Sequence, residues 1–203
     1  MTANASSRFR FSWRRELLQV ALALLLLATF RASFANHYQV PSGSMQPTLM
    51  PGDRVAVDML SYGLRVPMTL WRLWPGRAPQ RGEVVILDSP ADGARLIKRV
   101  VAVGGDVVQL QQGYLTVNGL MLTGGEKAEE RIGQRAVQLD LDAGGGPDIP
   151  RQTVPPGQLL VLGDHRGASL DGRFFGMVPQ SAVYGRAVGV FYRRGHGFGW
   201  RRL

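Results

Sequence analysis

Leu96-Ile97-Lys98-Arg99-Val100-Val101-Ala102-Val103-Gly104-Gly105-Asp106 is an apolar, β-forming run closed by a turn, and its reading decides the fold. Val and Ile fit a pleated surface better than a helix, and Gly-Gly-Asp supplies the chain reversal. The same alternation of short apolar runs with Gly- and Pro-containing turns continues in both directions. Candidate strands are Arg54 to Asp58, Glu83 to Leu87, Arg95 to Val103, Val107 to Leu110 and Tyr114 to Val117. Further on lie Ala136 to Leu141, Leu159 to Leu162 and Gly185 to Tyr192. Pro51-Gly52-Asp53, Val117-Asn118-Gly119 and Pro155-Pro156-Gly157 punctuate them, and Asn118-Gly119 between two apolar runs is a hairpin signal. The pattern predicts a mainly β body, a barrel or sandwich of packed antiparallel sheets. Thr123 to Thr153 is polar and carries Gly144-Gly145-Gly146, so residues 123–153 read as a loop-rich insertion.

The N-terminal part has a different character. Leu17 to Phe30 is free of charge, fourteen residues long, and follows Arg8, Arg10, Arg14 and Arg15. At ~1.5 Å per residue the run is roughly 21 Å long, against a ~30 Å hydrocarbon core. Continuing past Arg31 to Ala35 nearly closes the gap if that guanidinium reaches back to the interface. The segment therefore reads as a single transmembrane helix over 16–36, after a basic cytoplasmic segment 1–15 and before an extracytoplasmic domain 37–203. A cleavable secretory signal is the competing reading. The net charge of +9, from 24 Lys and Arg against 15 Asp and Glu, is concentrated at the two ends. No aromatic-basic interleaving supports nucleic-acid binding. The chain has no cysteine, which excludes a disulfide framework and thiolate metal sites. Three scattered histidines do not read as a metal site, and no cofactor motif is present.

Lys98 and Lys127 are the only two lysines. Strand alternation places Lys98 with Leu96 and Val100, and puts Ile97, Arg99 and Val101 on the other face. One reading is an edge-strand charge that blocks aggregation. The other is a desolvated amine acting as a base; lowering a lysine from ~10.4 to about 8 needs roughly 3 kcal/mol of bias against its charged form. A serine nucleophile paired with a neutral lysine is a known variant of acyl transfer. Ser44, in Pro41-Ser42-Gly43-Ser44-Met45-Gln46-Pro47-Thr48-Leu49 just past the apolar segment, is the candidate nucleophile.

Four stretches together resemble the conserved boxes of bacterial type I signal peptidases. Pro41 to Leu49 with Pro51-Gly52-Asp53 resembles the serine box, and Arg81-Gly82-Glu83-Val84-Val85 the strand box that follows it. Leu96 to Asp106 is similar to the lysine box, and Leu162 to Gly176 to the final Gly-Asp box. The resemblance implies an all-β catalytic domain behind one membrane anchor. It implies Ser44 as nucleophile and Lys98 as general base, with the Ser44 N–H and the Ser42 hydroxyl as oxyanion donors. It implies that Ser169 orients the lysine and that Asp171 and Arg173 form a supporting ion pair. Met45 is a candidate for the substrate pocket, with ordinary core packing as the alternative. His165 stands where the family usually has Asn, and Gly172 where it often has Ser. His165 beside Asp164 invites a Ser-His-Asp reading, but adjacent positions rarely aim both side chains at one site.

The implied substrate is the signal peptide of an exported preprotein, cut at the plasma or inner membrane. Met68 to Trp74, with Trp71 and Trp74, is a candidate for contact with membrane lipid or for a loop packed on the β core. Competing readings are a specialised peptidase for conjugation or pilin-like substrates, and a non-enzymatic membrane-anchored β domain of a secretion assembly. A self-cleaving Ser/Lys repressor would need a DNA-binding N-terminal domain where this chain has a membrane-like one.

Overall fold

The computed structural model describes residues 13–33, 36–65, 72–123 and 128–203. Helix α1 spans Trp13–Ser33, and the chain then becomes β-rich. Its strands are β1 Asn36–Gln39, β2 Arg54–Asp58, β3 Gly63–Arg65, β4 Arg72–Pro75, β5 Val84–Asp88 and β6 Arg95–Val103. There follow β7 Val107–Gln111, β8 Tyr114–Val117, β9 Leu120–Met121, β10 Glu129–Ile132, β11 Arg135–Gln138, β12 Ile149–Thr153 and β13 Gln158–Leu162. A short helix α2, Gly172–Phe175, precedes β14 Val178–Pro179, β15 Val183–Arg193 and β16 Gly197–Arg202. The main sheet runs β1-β2-β15-β5-β6-β13-β14, with β16 added to β15. A second sheet runs β12-β7-β8-β9, and β10-β11 and β3-β4 form separate hairpins. The strand pairings are antiparallel, as the turn-rich sequence predicts.

β6 lies inside the main sheet, between β5 and β13, so Lys98 is not an edge-strand charge. It stands opposite Val85, and Arg99 stands opposite Val84 on one side and Leu162 on the other. Alternation along β5 and β6 feeds separate apolar clusters. Val85, Leu87 and Val100 pack with Leu159, Val161, Val178 and Val183. Val84, Ile86 and Ile97 pack with Met45, Leu49, Val55 and Val57 beneath the serine loop. The hairpin at Asn118-Gly119 forms with Val117 opposite Leu120. Both turn residues take positive φ, 53° and 81°, as the favoured two-residue turn requires.

Within the stretch 123–153, the described residues 128–153 carry more regular structure than the composition implies. It holds β10, β11 and β12, and it sends Ile132, Val137, Leu139 and Ile149 into a cluster with Leu110, Leu115, Leu160 and Leu162. Its polar appearance arises because the short strands bury few residues each: in β10 Glu130 and Ile132 are buried and Arg131 is exposed, while β11 buries only Val137 and β12 only Ile149. Glu130 is fully buried against Arg166 and also accepts the Leu115 N–H at 2.8 Å. The N-terminal helix starts at Trp13 and ends at Ser33, where the sequence reading spans 16–36. Among the described residues no helix is long and apolar enough to cross a membrane. Charges at Arg14, Arg15, Glu16 and Arg31 close in on the apolar run from both ends.

The Glu130–Arg166 pair joins this lobe to the segment that follows β13. Glu130→Ala leaves a buried guanidinium without its carboxylate and is expected to cost about 3–5 kcal/mol of stability. Urea unfolding of the detergent-solubilised protein checks this; a loss below about 1 kcal/mol would mean the pair is dispensable.

Candidate active site

The serine loop leaves β1 and returns to β2 through a set of backbone bonds. Val40 N donates to Asp53 O at 2.8 Å and Gly52 N to Val40 O at 2.9 Å, which closes the loop at its base. Asp53 is fully buried, accepts the Met50 N–H at 3.0 Å and pairs with Arg193 at 2.6 Å. Met45 and Leu49 plug the loop into the core below, leaving Ser44 half-buried between them and solvent. Met45, at 1% exposure, is a core residue. The Ser44 N–H has no acceptor among the described residues. The Ser42 hydroxyl is exposed and lies 3.4 Å from Ser44 Oγ, long for a hydroxyl–hydroxyl bond.

The sheet brings Lys98 to this loop. Lys98 Nζ lies 2.7 Å from Ser44 Oγ across 54 residues of sequence, and the residue is only 3% exposed. Burial pushes the amine down to about 8, against Asp171 and Asp164, which favour its charged form; Arg173 adds slightly to the depression. At that value about a tenth of the amines are neutral at pH 7, against well under a thousandth for an ordinary lysine.

The segment after β13 closes the site. His165 N donates to Ser44 O at 3.2 Å. A side chain at Gly163 would collide with the Ser44 carbonyl and with Ser169 Oγ, so glycine there lets the two segments touch. Asp171 is fully buried: its Oδ2 accepts the Gly163 N–H at 2.9 Å and pairs with Arg173 at 2.8 Å. Arg173 in turn donates to Gly145 O at 2.7 Å. Ser169 Oγ is buried without a hydrogen-bond partner among the described residues, so the expected bond to Lys98 is not made here. Gly172 has a local reason: a Cβ there would lie 2.9 Å from Val161 O and 2.8 Å from the Leu160 side chain.

His165 turns away from the serine. Its Nε2 bonds Asp142 at 2.6 Å, while Asp164 is engaged by Arg99 at 2.6 Å, so no Ser-His-Asp array forms. Asp140, Asp142 and His165 bring ligand atoms within 4.8 Å of one another, a grouping the sequence reading did not contain. The sequence reading also passed over Arg99, whose guanidinium reaches Asp164, Gly82 O and Thr48 Oγ1. The available signal was its place beside Lys98 in an apolar strand. Trp71 lies outside the described residues, and Trp74 is exposed.

A serine hydroxyl against a buried, partly neutral amine, beside an unengaged backbone N–H, is the arrangement of a serine hydrolase with a lysine base. Residues 13–192 match the family described as signal peptidase, peptidase S26, and the chain belongs to that family. It is 30% identical over 194 residues to a signal peptidase I of Pseudomonas aeruginosa, covering 83% of this chain and 68% of that one. To a signal peptidase I of Pseudomonas fluorescens it is 29% identical over 198 residues, covering 83% and 68%. A solved signal peptidase I from Enterococcus faecalis aligns at 29% identity with a TM-score of 0.40, over 55% of this chain and 98% of that one.

Gly163 offers a test of the packing behind the serine. Gly163→Ala forces the Ser44 carbonyl and Ser169 apart, and is expected to lower the hydrolysis rate on the order of 10- to 100-fold with the fold retained. Rate measurement alongside circular dichroism checks it; a wild-type rate would show that this contact does not position Ser44.

Proposed function

We propose that this chain is a membrane-anchored serine endopeptidase that removes N-terminal signal peptides from exported preproteins, with Ser44 as nucleophile and Lys98 as general base. The observation that carries the reading is the 2.7 Å approach of a buried, pKa-lowered Lys98 amine to Ser44 Oγ. The neutral amine takes the serine proton as Oγ attacks the scissile carbonyl, and returns it to the leaving amine. The acyl-enzyme that remains is cleared by water activated by the same lysine. Negative charge on the former carbonyl oxygen is met by the Ser44 N–H, with the neighbouring Ser42 hydroxyl as second donor. Ser169 is assigned the part of orienting the lysine amine once it gains its proton; its buried hydroxyl has no other partner among the described residues. The Asp171–Arg173 pair fixes the backbone at Gly163 beside it.

The anchor belongs to the same proposal. Leu17, Leu18, Val20, Leu22 and Leu24 are all exposed on α1, so these apolar side chains are left uncovered by the described protein. A helix seated in lipid, its flanking arginines at the headgroups, would hold Ser44 near the surface where signal peptides emerge. General processing and a dedicated substrate are both compatible with this site.

Activity is expected to rise with pH through about 8, because only the neutral amine is a base. Ser44→Ala and Lys98→Ala should each abolish cleavage of a preprotein at its signal junction in detergent. Normal cleavage by either variant, or a flat profile from pH 6 to 9, would sink the assignment.

The same burial has a stability consequence. Lys98 binds its proton more weakly folded than unfolded, so the folded state carries the full cost below pH 8 and recovers stability as pH rises toward about 10.4. Lys98→Met is therefore expected to be inactive yet more stable than wild type at pH 7 by roughly 1–3 kcal/mol, the gain fading above pH 10. Urea unfolding at pH 7 and pH 10 distinguishes this from a lysine that stabilises the fold.

A further inference from the structure

Several arginines of the β domain have carboxylate partners. Arg77 pairs with Glu83, Arg81 with Asp106, Arg95 with Asp88, Arg166 with Glu130, Arg173 with Asp171 and Arg193 with Asp53. Three of the arginines without such a partner lie together. A cavity of about 820 Å³ beside the serine loop is lined by Thr48, Gln134, Arg99, Arg135, Arg201 and Arg202, among others. Asp164 neutralises Arg99. Among the described residues Arg135, Arg201 and Arg202 have no carboxylate partner; Arg201 donates only to the neutral Thr48 carbonyl. Neither Ser44 nor Lys98 lines the cavity.

Three guanidiniums contributed by β11 and β16 thus line one space without a salt-bridge partner among the described residues. Arg135 is half-buried, with its stem against Gly82. Burial and the neighbouring Arg99, Arg186 and Arg202 work against its charged form, with only Glu83 pulling the other way. Burial and Arg193 act on Arg201 in the same direction, opposed by Asp53. Arginine does not relieve such crowding by losing its proton; an anion from outside relieves it. Phosphate suits this lining because its several oxygens accept from guanidinium forks arriving from more than one direction. A cavity in the range of about 300–1,000 Å³ accommodates a small ligand larger than a single ion, and Gln134, Gln138 and Thr48 supply neutral polar groups for the rest of it.

We propose that this cavity is a binding site for a phosphate-bearing anion, either a phospholipid headgroup or a soluble phosphate ester. The site stands apart from the peptidase reading, since it uses neither member of the Ser44–Lys98 pair. Pro47 and Thr48, which line it, belong to the serine loop, so an occupant would contact the loop directly.

Titration calorimetry of the full chain in neutral detergent tests this with two probes, glycerol phosphate and a short-chain phosphatidylglycerol. Saturable binding of at least one is expected. The Arg135→Gln/Arg202→Gln variant should weaken it at least tenfold, whereas Arg131→Gln/Arg151→Gln, at two exposed positions that do not line the cavity, should leave it unchanged. Arg135→Lys, which keeps the charge but loses the fork, should fall between. Tighter binding of the lipid identifies a headgroup as the source; equal or tighter binding of glycerol phosphate identifies a soluble ester. Binding of neither probe, wild-type affinity in the cavity variant, or equal weakening by both double variants overturns the proposal. Unchanged circular dichroism and unchanged peptidase activity of the cavity variant separate a lost ligand from a lost fold.

Discussion

Arg99 and Asp164 form an ion pair with both side chains almost completely out of water, and three remote parts of the chain meet at it. Arg99 comes from the middle of β6 and Asp164 from the segment after β13; Arg99 Nη1 donates to the Gly82 carbonyl before β5, and Nη2, already on Asp164, also reaches Thr48 in the serine loop. Removing two ions from water is costly, and a buried pair is tolerable only when its remaining hydrogen-bonding capacity is satisfied. Here each extra bond is also a spatial constraint. The pair sets the distance from the serine loop to β6, and therefore the distance from Ser44 to the residue beside Arg99. That residue is Lys98. Consecutive strand positions point to opposite faces, so one basic side chain is given a carboxylate while its neighbour is left with a hydroxyl.

The electrostatics of Lys98 depend on how completely the nearby carboxylates are occupied elsewhere. Asp171 and Asp164 both favour the ammonium, and each is held by its own arginine. Desolvation prevails because these carboxylates are already paired. Asp171 has a second part in the architecture. It holds Gly163 by its N–H, and through Arg173 it reaches the Gly145 carbonyl in the lobe built from 123–153. That lobe is tied in again by Glu130–Arg166 and by His165–Asp142. The contact between Gly163 and the Ser44 carbonyl is backed by a network of charges, and the backbone behind the nucleophile has little freedom to drift.

Much of the β body was legible because apolar runs and turn residues agreed. Arg54–Asp58, Arg95–Val103 and Tyr114–Val117 form as read from the sequence, and Asn118-Gly119 makes its hairpin. β10 and β12 were not legible. Glu129-Glu130-Arg131-Ile132 looks polar, and only the partnership of Glu130 with a remote arginine makes its burial possible. The proximity of Ser44 and Lys98 was reached by resemblance; residue pattern alone left Lys98 divided between an edge charge and a base. Its position between β5 and β13 is a property of strand order, which no local window contains. Ser169 shows the opposite limit. Its place in a motif implied a bond to the lysine, while the packing leaves its hydroxyl against Gly163 without a partner.

The use of arginine at the buried cross-links follows from the same physical chemistry. A buried guanidinium keeps its charge and offers a planar fork, so it can cross-link carboxylates and carbonyls inside a small β domain. The pairs at Arg99, Arg166 and Arg173 use arginine in this way. An ammonium in an apolar setting instead gives up its proton at moderate cost, which is a fault in a cross-link and a requirement in a base. Arginine at position 98 would have to bury a permanent charge beside Ser44 and could accept no proton from it. The two basic side chains, adjacent in one strand, are therefore not interchangeable: the fold needs the charge that arginine keeps at 99, and the chemistry needs the proton that lysine can lose at 98.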